Sequence, residues 1–305
     1  MEQQKQKRNP LRFFKRIWKD KLAYALVAPF MILFTIFTIL PAIVSIVLSF
    51  TSFNLLENPS FIGLENFKRM FFEDDIFPVA LKNTLIFAAI IGPAGYMLSL
   101  LLAWVINELK SLRSLVTLIM YAPSISGNAY LIWTVFFSGD AYGYANGILM
   151  KLGIINTPII WLKNTQYMPI VLIIIALWVS LGVSFLSFVA GFKGVDKTYF
   201  EAGAIDGVTN RWQELWYITL PLMRPQMVFG AVMSISSSFG IGALIDGVFG
   251  FPSTDYALHT LTNHMTDYGG TRYEMGYACA IAVILFAMMV TFNVVFRKFI
   301  EKVGN

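Results

Sequence analysis

Near its start the sequence contains an unbroken apolar stretch, LAYALVAPFMILFTIFTILPAIVSIVLSF, which occupies residues 22–50. None of these 29 residues is Asp, Glu, Lys, Arg or His. An α-helix rises about 1.5 Å per residue, so about 20 apolar residues cross the roughly 30 Å hydrocarbon core of a bilayer. The stretch therefore predicts a membrane-spanning helix, and it is longer than the apolar core of a removable signal peptide.

Five further windows of the same kind follow, each 21 to 23 residues long and free of charged residues and His. A helix in lipid satisfies its backbone hydrogen bonds within itself, so such windows indicate transmembrane helices. The sequence therefore predicts an all-α polytopic membrane protein with six transmembrane helices in one domain, residues 22–296. The predicted spans are residues 22–50, 84–106, 115–137, 168–190, 225–245 and 276–296.

The composition of the 305-residue chain excludes most other classes of protein. Hydrophobic residues make up 57% and charged residues only 13%, whereas soluble domains carry about 25% charged residues. This balance argues against a soluble, collagen-like or disordered chain. Cys279 is the one cysteine, so the chain cannot form an internal disulfide.

The distribution of basic residues predicts the orientation of the spans. Lys and Arg accumulate on the cytoplasmic side of membranes. Of the 23 basic residues, 17 lie in segment 1–21, the second and fourth loops, and the tail 297–305. Both termini are therefore predicted inside. In segment 1–21, Leu11, Phe14 and Trp18 recur at helical spacing, which favours an amphipathic helix on membrane lipid over nucleic-acid binding.

The sequence contains no signature of catalysis, metal binding or nucleotide binding. The predicted spans hold no ionisable residue of the kind that ion-coupled pumps use. His259 and His264 share the fifth loop, but no compact carboxylate or Cys cluster accompanies them in the sequence. The phosphate-binding pattern G-x-x-x-x-G-K-[ST] is also absent. Uphill transport would therefore need energy from another subunit.

The fourth loop, GFKGVDKTYFEAGAIDGVTNRWQELWYITLPLMR at residues 191–224, is patterned as two short helices. Asp196 is a suitable N-cap for a helix that continues to Ile205, where Asp206 and Gly207 turn the chain. Thr209 is predicted to cap a second helix. Its apolar residues recur every three or four positions, at Trp212, Leu215, Trp216 and Leu220. We call this segment the elbow, and its exposed apolar residues predict a covering surface.

The elbow resembles the EAA loop of ABC importer permeases. The family pattern E-A-A-x-x-D-G-A, followed by I-x-L-P, is met at Glu201, Ala202, Asp206, Gly207, Ile218, Leu220 and Pro221. Gly203 stands in place of the second Ala, Val208 in place of the later Ala, and Leu215 in place of a Phe. The resemblance implies that the elbow sits in a cleft of a separate ATP-binding subunit, whose closure rocks the spans.

Other motifs extend the resemblance over nearly the whole chain. Residues 61–67, FIGLENF, resemble an outer-loop motif of carbohydrate permeases, and residues 276–280, GYACA, resemble the entry to their last span. Gly143, Asn146 and Trp161, with Gly153, fall where that branch has its third loop. The chain thus resembles the maltose-type permeases, of the MalF-like and UgpA-like kind, which implies a bacterial cytoplasmic membrane.

The resemblance also implies partners and cofactors. A MalG-like second permease, two ATP-binding subunits and an extracytoplasmic solute-binding protein would complete the importer. ATP and Mg would be held by the ATP-binding subunits, with no cofactor on this chain.

Sugars bind through hydroxyl hydrogen bonds and aromatic faces, so a solute pathway should carry neutral polar and aromatic residues within the spans. The third span offers Tyr121, Ser124 and Asn128. In the fourth and fifth spans, the resemblance maps solute-contacting positions onto Ala176, Ser180, Met233, Ser236 and Ser237. The alternative is that small polar residues merely allow close helix packing. The outer loops hold ten acidic and six basic residues, which favours a neutral saccharide over a phosphate ester.

The sequence thus predicts the permease subunit of an ATP-driven, binding-protein-dependent importer for a sugar or oligosaccharide, and not an enzyme. An importer permease for a non-carbohydrate solute is the nearest alternative. A stand-alone carrier or channel would predict internal repeats and usually an ion-coupling residue within the spans. A membrane-embedded enzyme would predict a reactive pair within the spans.

Overall fold

The structure, a computed structural model, describes residues 21–303. The predicted surface helix of segment 1–21, with Leu11, Phe14 and Trp18, falls outside the described residues apart from Lys21. The described chain is built almost entirely of helices, with one two-stranded sheet. Three helices are long and apolar enough to cross a membrane, and three bent helix pairs bring the number of possible spans to six.

The first span is a 28-residue rod, residues Lys21–Leu48. It comprises α1 (Lys21–Phe34), a π-helical turn (Thr35–Ile39) and α2 (Leu40–Leu48). The turn ends two residues before Pro41, which lacks an amide N–H and disturbs the ordinary helical pattern. No residue of the rod is buried within this chain, so lipid or another subunit must cover it.

A small unit of two strands and one helix follows the first span. Strands β1 (Thr51–Ser52) and β2 (Ser60–Phe61) pair antiparallel, with Thr51 opposite Phe61. Helix α3 (Glu65–Phe72) then leads to the second span, α4 (Phe77–Glu108). At 32 residues α4 rises about 48 Å and is much longer than the predicted 84–106. It packs against the fourth and fifth spans and is the central helix of the bundle.

The third and fourth spans are broken, whereas the sequence predicted continuous helices over 115–137 and 168–190. Helix α5 (Arg113–Ile125) is followed by a 3-10 turn (Ala129–Leu131) and α6 (Ile132–Phe136), bent by 89°. The intervening Ser126-Gly127-Asn128 triplet consists of poor helix formers and begins three residues after Pro123. Helices α8 (Met168–Val179) and α9 (Val183–Gly194) meet at 44° around Gly182. A short helix, α7 (Tyr144–Lys151), lies between these spans.

The elbow consists of four short helical segments. They are α10 (Lys197–Ile205), α11 (Arg211–Gln213), a π-helical turn (Glu214–Thr219) and α12 (Leu220–Leu222). The fifth span, α13 (Arg224–Phe239), begins after an 82° bend. The predicted span 225–245 ends early at Gly240, and α14 (Gly242–Phe249) continues after this break.

The fifth loop is compact and leads into the last span. It contains a 3-10 turn (Thr254–Tyr256), α15 (Leu261–Thr266) and a π-helical turn (Asp267–Thr271). The last helix, α16 (Met275–Val303), includes the predicted span 276–296.

Two large apolar clusters hold the bundle together. One lies at the elbow end, around Phe185, Phe188 and Met223, and the other, around Ile175 and Ile245, joins α8 to α14.

Candidate functional site

The first arm of the elbow has the predicted form. Asp196 is the N-cap of α10, and its Oδ1 accepts hydrogen bonds from the Thr198 amide and hydroxyl, both at 3.0 Å. The backbone bond, together with the hydroxyl, lowers the pKa of Asp196. The helix ends at Ile205, and Gly207 turns the chain with φ +92°. This left-handed conformation disfavours any side chain, which explains the glycine in the motif.

The cap of the second arm is Asn210, not Thr209 as the sequence predicted. The Asn210 Oδ1 accepts from the Gln213 amide at 2.8 Å. The Gln213 Oε1 in turn accepts from the Thr209 amide at 2.9 Å. Thr209 therefore donates its backbone amide to Gln213 and does not cap the helix. The helix begins one residue later than a Thr209 cap would require.

The two arms of the elbow touch at Gly203, where the sequence departs from the E-A-A pattern. Gly203 is buried, and a Cβ atom there would lie 2.5 Å from the Ile218 Cδ1. The missing methyl group therefore lets Ile218 pack directly against α10.

The outer surface of the elbow combines acidic and apolar side chains. Glu201, Ala202 and Asp206 are exposed, and within residues 21–298 neither acidic residue has an ion-pair partner. Ile205 is 88% exposed and Tyr217 73% exposed. Pro221 is also exposed, while Leu220 packs on the elbow-end cluster. Strongly exposed apolar side chains beside exposed carboxylates indicate a partner surface.

The elbow is fastened to the end of α4 by contacts that the sequence did not reveal. The Arg211 guanidinium lies 3.4 Å from Glu108 and 2.8 Å from Glu214. The rings of Trp104 and Trp212 meet edge to face, with centroids 5.6 Å apart. Glu214 is three residues from Arg211, but the two contacts that reach α4, Arg211 with Glu108 and Trp212 with Trp104, join residues about a hundred positions apart, and no local spacing pattern relates them.

The break in the fourth span packs against the middle of α4, and the break in the third span lies beside it. A Cβ atom on Gly95 would lie 2.9 Å from the Ser180 Oγ, and one on Gly182 would lie 3.5 Å from the Ser124 Cβ. Ser180 and Ser124 donate their hydroxyl protons to carbonyls of their own helices. Each hydroxyl oxygen keeps lone pairs that can accept a hydrogen bond. The two helix breaks therefore lie close together, beside predicted pathway residues.

The other predicted pathway residues divide by exposure. Met233, Ser237 and Asn128 are exposed, and Ser236 is half-buried. Ala176 is only 5% exposed and lies within an apolar cluster, so it presents almost no surface in this conformation. Tyr121 packs on the elbow-end cluster.

Two neighbouring serines that were not assigned to the pathway serve close helix packing instead. Ser234 is buried and donates to the Gly92 carbonyl at 2.9 Å, and Ser238 is also buried.

The outer-loop motifs turn out to be structural. The Asn66 Nδ2 donates to the Ser49 and Thr51 carbonyls, both at 2.9 Å. Gly276 packs so closely that a Cβ atom there would lie 2.0 Å from the Thr51 oxygen. Two motifs more than 200 residues apart thus meet on β1.

The third-loop motif has the same structural character. Asn146 is buried; its Nδ2 shares two N–H groups among three carbonyls within hydrogen-bond distance, and its Oδ1 accepts from the Ile159 amide and the Trp161 indole. Gly143 leaves no room for a Cβ atom, which would lie 2.4 Å from the Ser138 oxygen. These residues shape the loop around one side chain.

One of the two histidines of the fifth loop, His264, contacts a carboxylate that lies far away in the sequence, whereas His259 contacts His264, with the ring nitrogens 3.2 Å apart. The Asp74 Oδ2 lies 2.9 Å from the His264 Nε2 and accepts from the Tyr277 hydroxyl at 2.6 Å. Burial alone would raise the pKa of Asp74, but these bonds outweigh it and lower the pKa. Burial lowers the pKa of His259 to about 4. Within residues 21–303, no group of three or more His, Cys, Asp or Glu could hold a metal ion.

Comparison with known proteins places this architecture in a family. Residues 18–304 match the family described as "Binding-protein-dependent transport system inner membrane component". The chain is 33% identical to the probable ABC transporter permease protein YesP of Bacillus subtilis over 90% of this chain and 89% of that protein. It is 30% identical to the lactose transport system permease protein LacF of Rhizobium radiobacter, over 88% and 91%.

A solved structure shares the fold. A chain of a bacterial ABC transporter involved in the import of the acidic polysaccharide alginate superposes with a TM-score of 0.78. The identity is 23%, and the match covers 96% of this chain and 100% of that chain. Together with the family match over nearly the whole sequence, these findings show that the chain belongs to the inner membrane components of binding-protein-dependent transport systems, the permease subunits of ABC transporters.

Proposed function

We propose that this permease imports a sugar or oligosaccharide and that its elbow is the point at which a separate ATP-binding subunit drives it. The observation that carries the proposal is the surface around α10. Glu201 and Asp206 are exposed beside the apolar Ile205, and residues 21–298 contain no ion-pair partner for either carboxylate. A cleft with basic and apolar walls would complement this surface.

The partners follow from this arrangement. Two ATP-binding subunits would hold ATP and Mg, and a second permease would complete the solute pathway. The solute-binding protein would dock on the outer loops. The uncovered Lys21–Leu48 rod is available to lipid and to the second permease.

The orientation of the chain in the membrane belongs to the same proposal. The second loop and the elbow lie at one end of the bundle, where both line a common cleft. These two loops are rich in basic residues, so the positive-inside rule assigns this end, together with both termini, to the cytoplasm.

The pathway would run beside the two helix breaks. Discontinuous helices expose backbone polar groups at membrane depth, where a solute can use them. Ser124, Ser180, Ser236 and Ser237 would add neutral hydroxyl groups suited to a saccharide. The saccharide names of relatives such as the lactose permease support this class of solute.

The decisive experiment tests coupling at the elbow. The full-length chain is co-purified with its ATP-binding subunits and binding protein, reconstituted in proteoliposomes, and assayed for ATP hydrolysis and solute uptake. Glu201→Arg should lower solute-stimulated hydrolysis at least tenfold, because the reversed charge opposes docking. Lys298→Glu reverses a charge at an exposed site outside both the elbow and the outer loops and is the matched control. Wild-type coupling in Glu201→Arg would contradict the proposal.

A second pair of variants tests the turn. Gly207→Ala places a methyl group at φ +92°, whereas Gly194→Ala in the same loop faces equally open space without a positive φ. Only the first should impair coupling. The solute class is tested with neutral oligosaccharides, alginate oligosaccharides and glycerol phosphate. Uptake of glycerol phosphate alone would contradict the sugar assignment and leave the coupling result intact.

A further inference from the structure

A cleft of about 690 Å³ lies between the second loop and the elbow. Its walls come from the end of α4, the second loop, the start of α5, the end of α9 and both arms of the elbow. The lining includes Trp104, Lys110, Arg113, Lys193, Phe200 and Arg211. The cleft therefore collects basic side chains from separate parts of the chain.

The positive charge of this cleft is only partly neutralised. Its two carboxylates, Glu108 and Glu214, both pair with Arg211. Within residues 21–298, Lys110 and Lys193 have no ion-pair partner, and both side chains are exposed. Arg113 donates one hydrogen bond to the Asn107 carbonyl and keeps its full charge. Such an excess of charge in a concave site attracts an anion.

The helices next to the cleft are apolar and exposed. Helix α5, which begins at the lining residue Arg113, exposes Leu115, Leu118 and Ile119 on one stripe at 50%, 57% and 57%. Helix α4 exposes Leu101 and Val105 shortly before the cleft. A ligand that fits both surfaces has an anionic head and an apolar tail.

We propose that this cleft binds the phosphate headgroup of an anionic phospholipid, with the acyl chains along the exposed stripe of α5. The phosphate accepts hydrogen bonds from Lys110 and Arg113 of the second loop and from Lys193 of α9. Arg211, already held by its two glutamates, forms the far wall. The bound lipid thereby connects the second loop to the end of the fourth span, next to the elbow.

The test measures lipid retention. The full-length chain with its partner subunits is purified in nanodiscs of equal phosphatidylglycerol and phosphatidylcholine, and retained lipid is counted by native mass spectrometry after detergent extraction. Wild-type protein should retain phosphatidylglycerol preferentially. Lys110→Gln and Lys193→Gln should each weaken retention about fivefold. Lys298→Gln removes an exposed lysine outside the cleft and should leave retention unchanged.

Two further measurements distinguish a bound lipid from free phosphate and from a docked protein. Inorganic phosphate at millimolar concentration should fail to displace the lipid, because it lacks the apolar tail. Full displacement by phosphate would overturn the lipid assignment. Unchanged lipid retention in Lys110→Gln and Lys193→Gln, with loss of the ATP-binding subunit instead, would show that the cleft docks a protein and would also overturn it.

Discussion

The carboxylate of Asp74 and the imidazole of His264, 190 residues apart in the sequence, lie 2.9 Å apart and buried beside the start of α4, the helix whose other end contacts the elbow. The other oxygen of Asp74 accepts from the Ile76 and Phe77 amides at the start of α4, at 3.0 and 3.1 Å. One carboxylate thus caps the central helix and holds the fifth loop. Through Tyr277 it also holds the last span.

Asp74→Asn should destabilise the outer half of the protein by about 2–4 kcal/mol, because an amide cannot accept at both positions and leaves buried donors unpaired. The measurement is thermal unfolding of the purified chain in detergent. Asp75→Asn, at the exposed neighbouring position, is the control and should change stability by less than about 0.5 kcal/mol. Equal effects of the two substitutions would refute the dual role of Asp74.

His259 predicts a pH dependence of stability. Its pKa in the folded protein is about 4, against an ordinary value of 6.5, so between these values the unfolded chain binds more protons. Stability should therefore be complete above about pH 6.5 and decline as the pH falls toward 4. Asp74, with its lowered pKa, acts in the same direction only below its ordinary value of 3.8.

Unfolding measured between pH 7 and 4.5 tests this dependence, with His259→Gln as the diagnostic variant. The variant should show a shallower slope than the wild type, because one buried group that resists protonation has been removed. Asp74 should add no slope in this range, because its contribution is lost only below about pH 3.8. A slope that His259→Gln leaves unchanged would assign the pH dependence to other groups.

Gly203 and Ile218 should show coupled effects. Gly203→Ala gains up to about 1 kcal/mol of helix propensity, but its Cβ would meet the Ile218 Cδ1 at 2.5 Å. We expect net destabilisation of about 1 kcal/mol from overpacking. Ile218→Val removes the Cδ1 atom, so the double variant should regain most of the loss. A double-mutant cycle on ATP-coupled uptake and unfolding measures the interaction; additive effects would rule out the contact.

The Trp104–Trp212 contact should link the elbow to α4 more strongly than the neighbouring ion pair does. An edge-to-face aromatic pair contributes about 0.5–1.5 kcal/mol beyond its buried area. The Arg211–Glu108 pair is largely exposed, and such pairs contribute about 0–1 kcal/mol. Trp212→Leu should therefore reduce coupled ATP hydrolysis more than Glu108→Gln does. The reverse order would make the ion pair the main link.

The elbow shows how far local pattern can be followed. The Asp196 cap and the Gly207 turn were correctly predicted, because capping and positive φ depend on a few adjacent residues. The cap at Asn210 was missed by one position, since adjacent Thr and Asn residues are both good caps and only the helix start distinguishes them.

The spans show where hydropathy stops being informative. Three of the six apolar windows fall on single long helices and the other three on bent helix pairs, and the breaks after Ile125 and at Gly182 were missed. An apolar window has the same hydropathy whether its helix is straight or bent, and it is the packing of neighbouring helices that tolerates a broken backbone.

The sequence by itself determined that the chain is an apolar helical membrane protein with an elbow of the permease type, because hydropathy, capping and motif spacing act over short distances along the chain. Only the tertiary structure decided which distant residues meet: Asp74 with His264, Gly276 with Thr51, and Arg211 with Glu108. Such contacts depend on how the helices pack, and a single sequence carries no local signal of that packing.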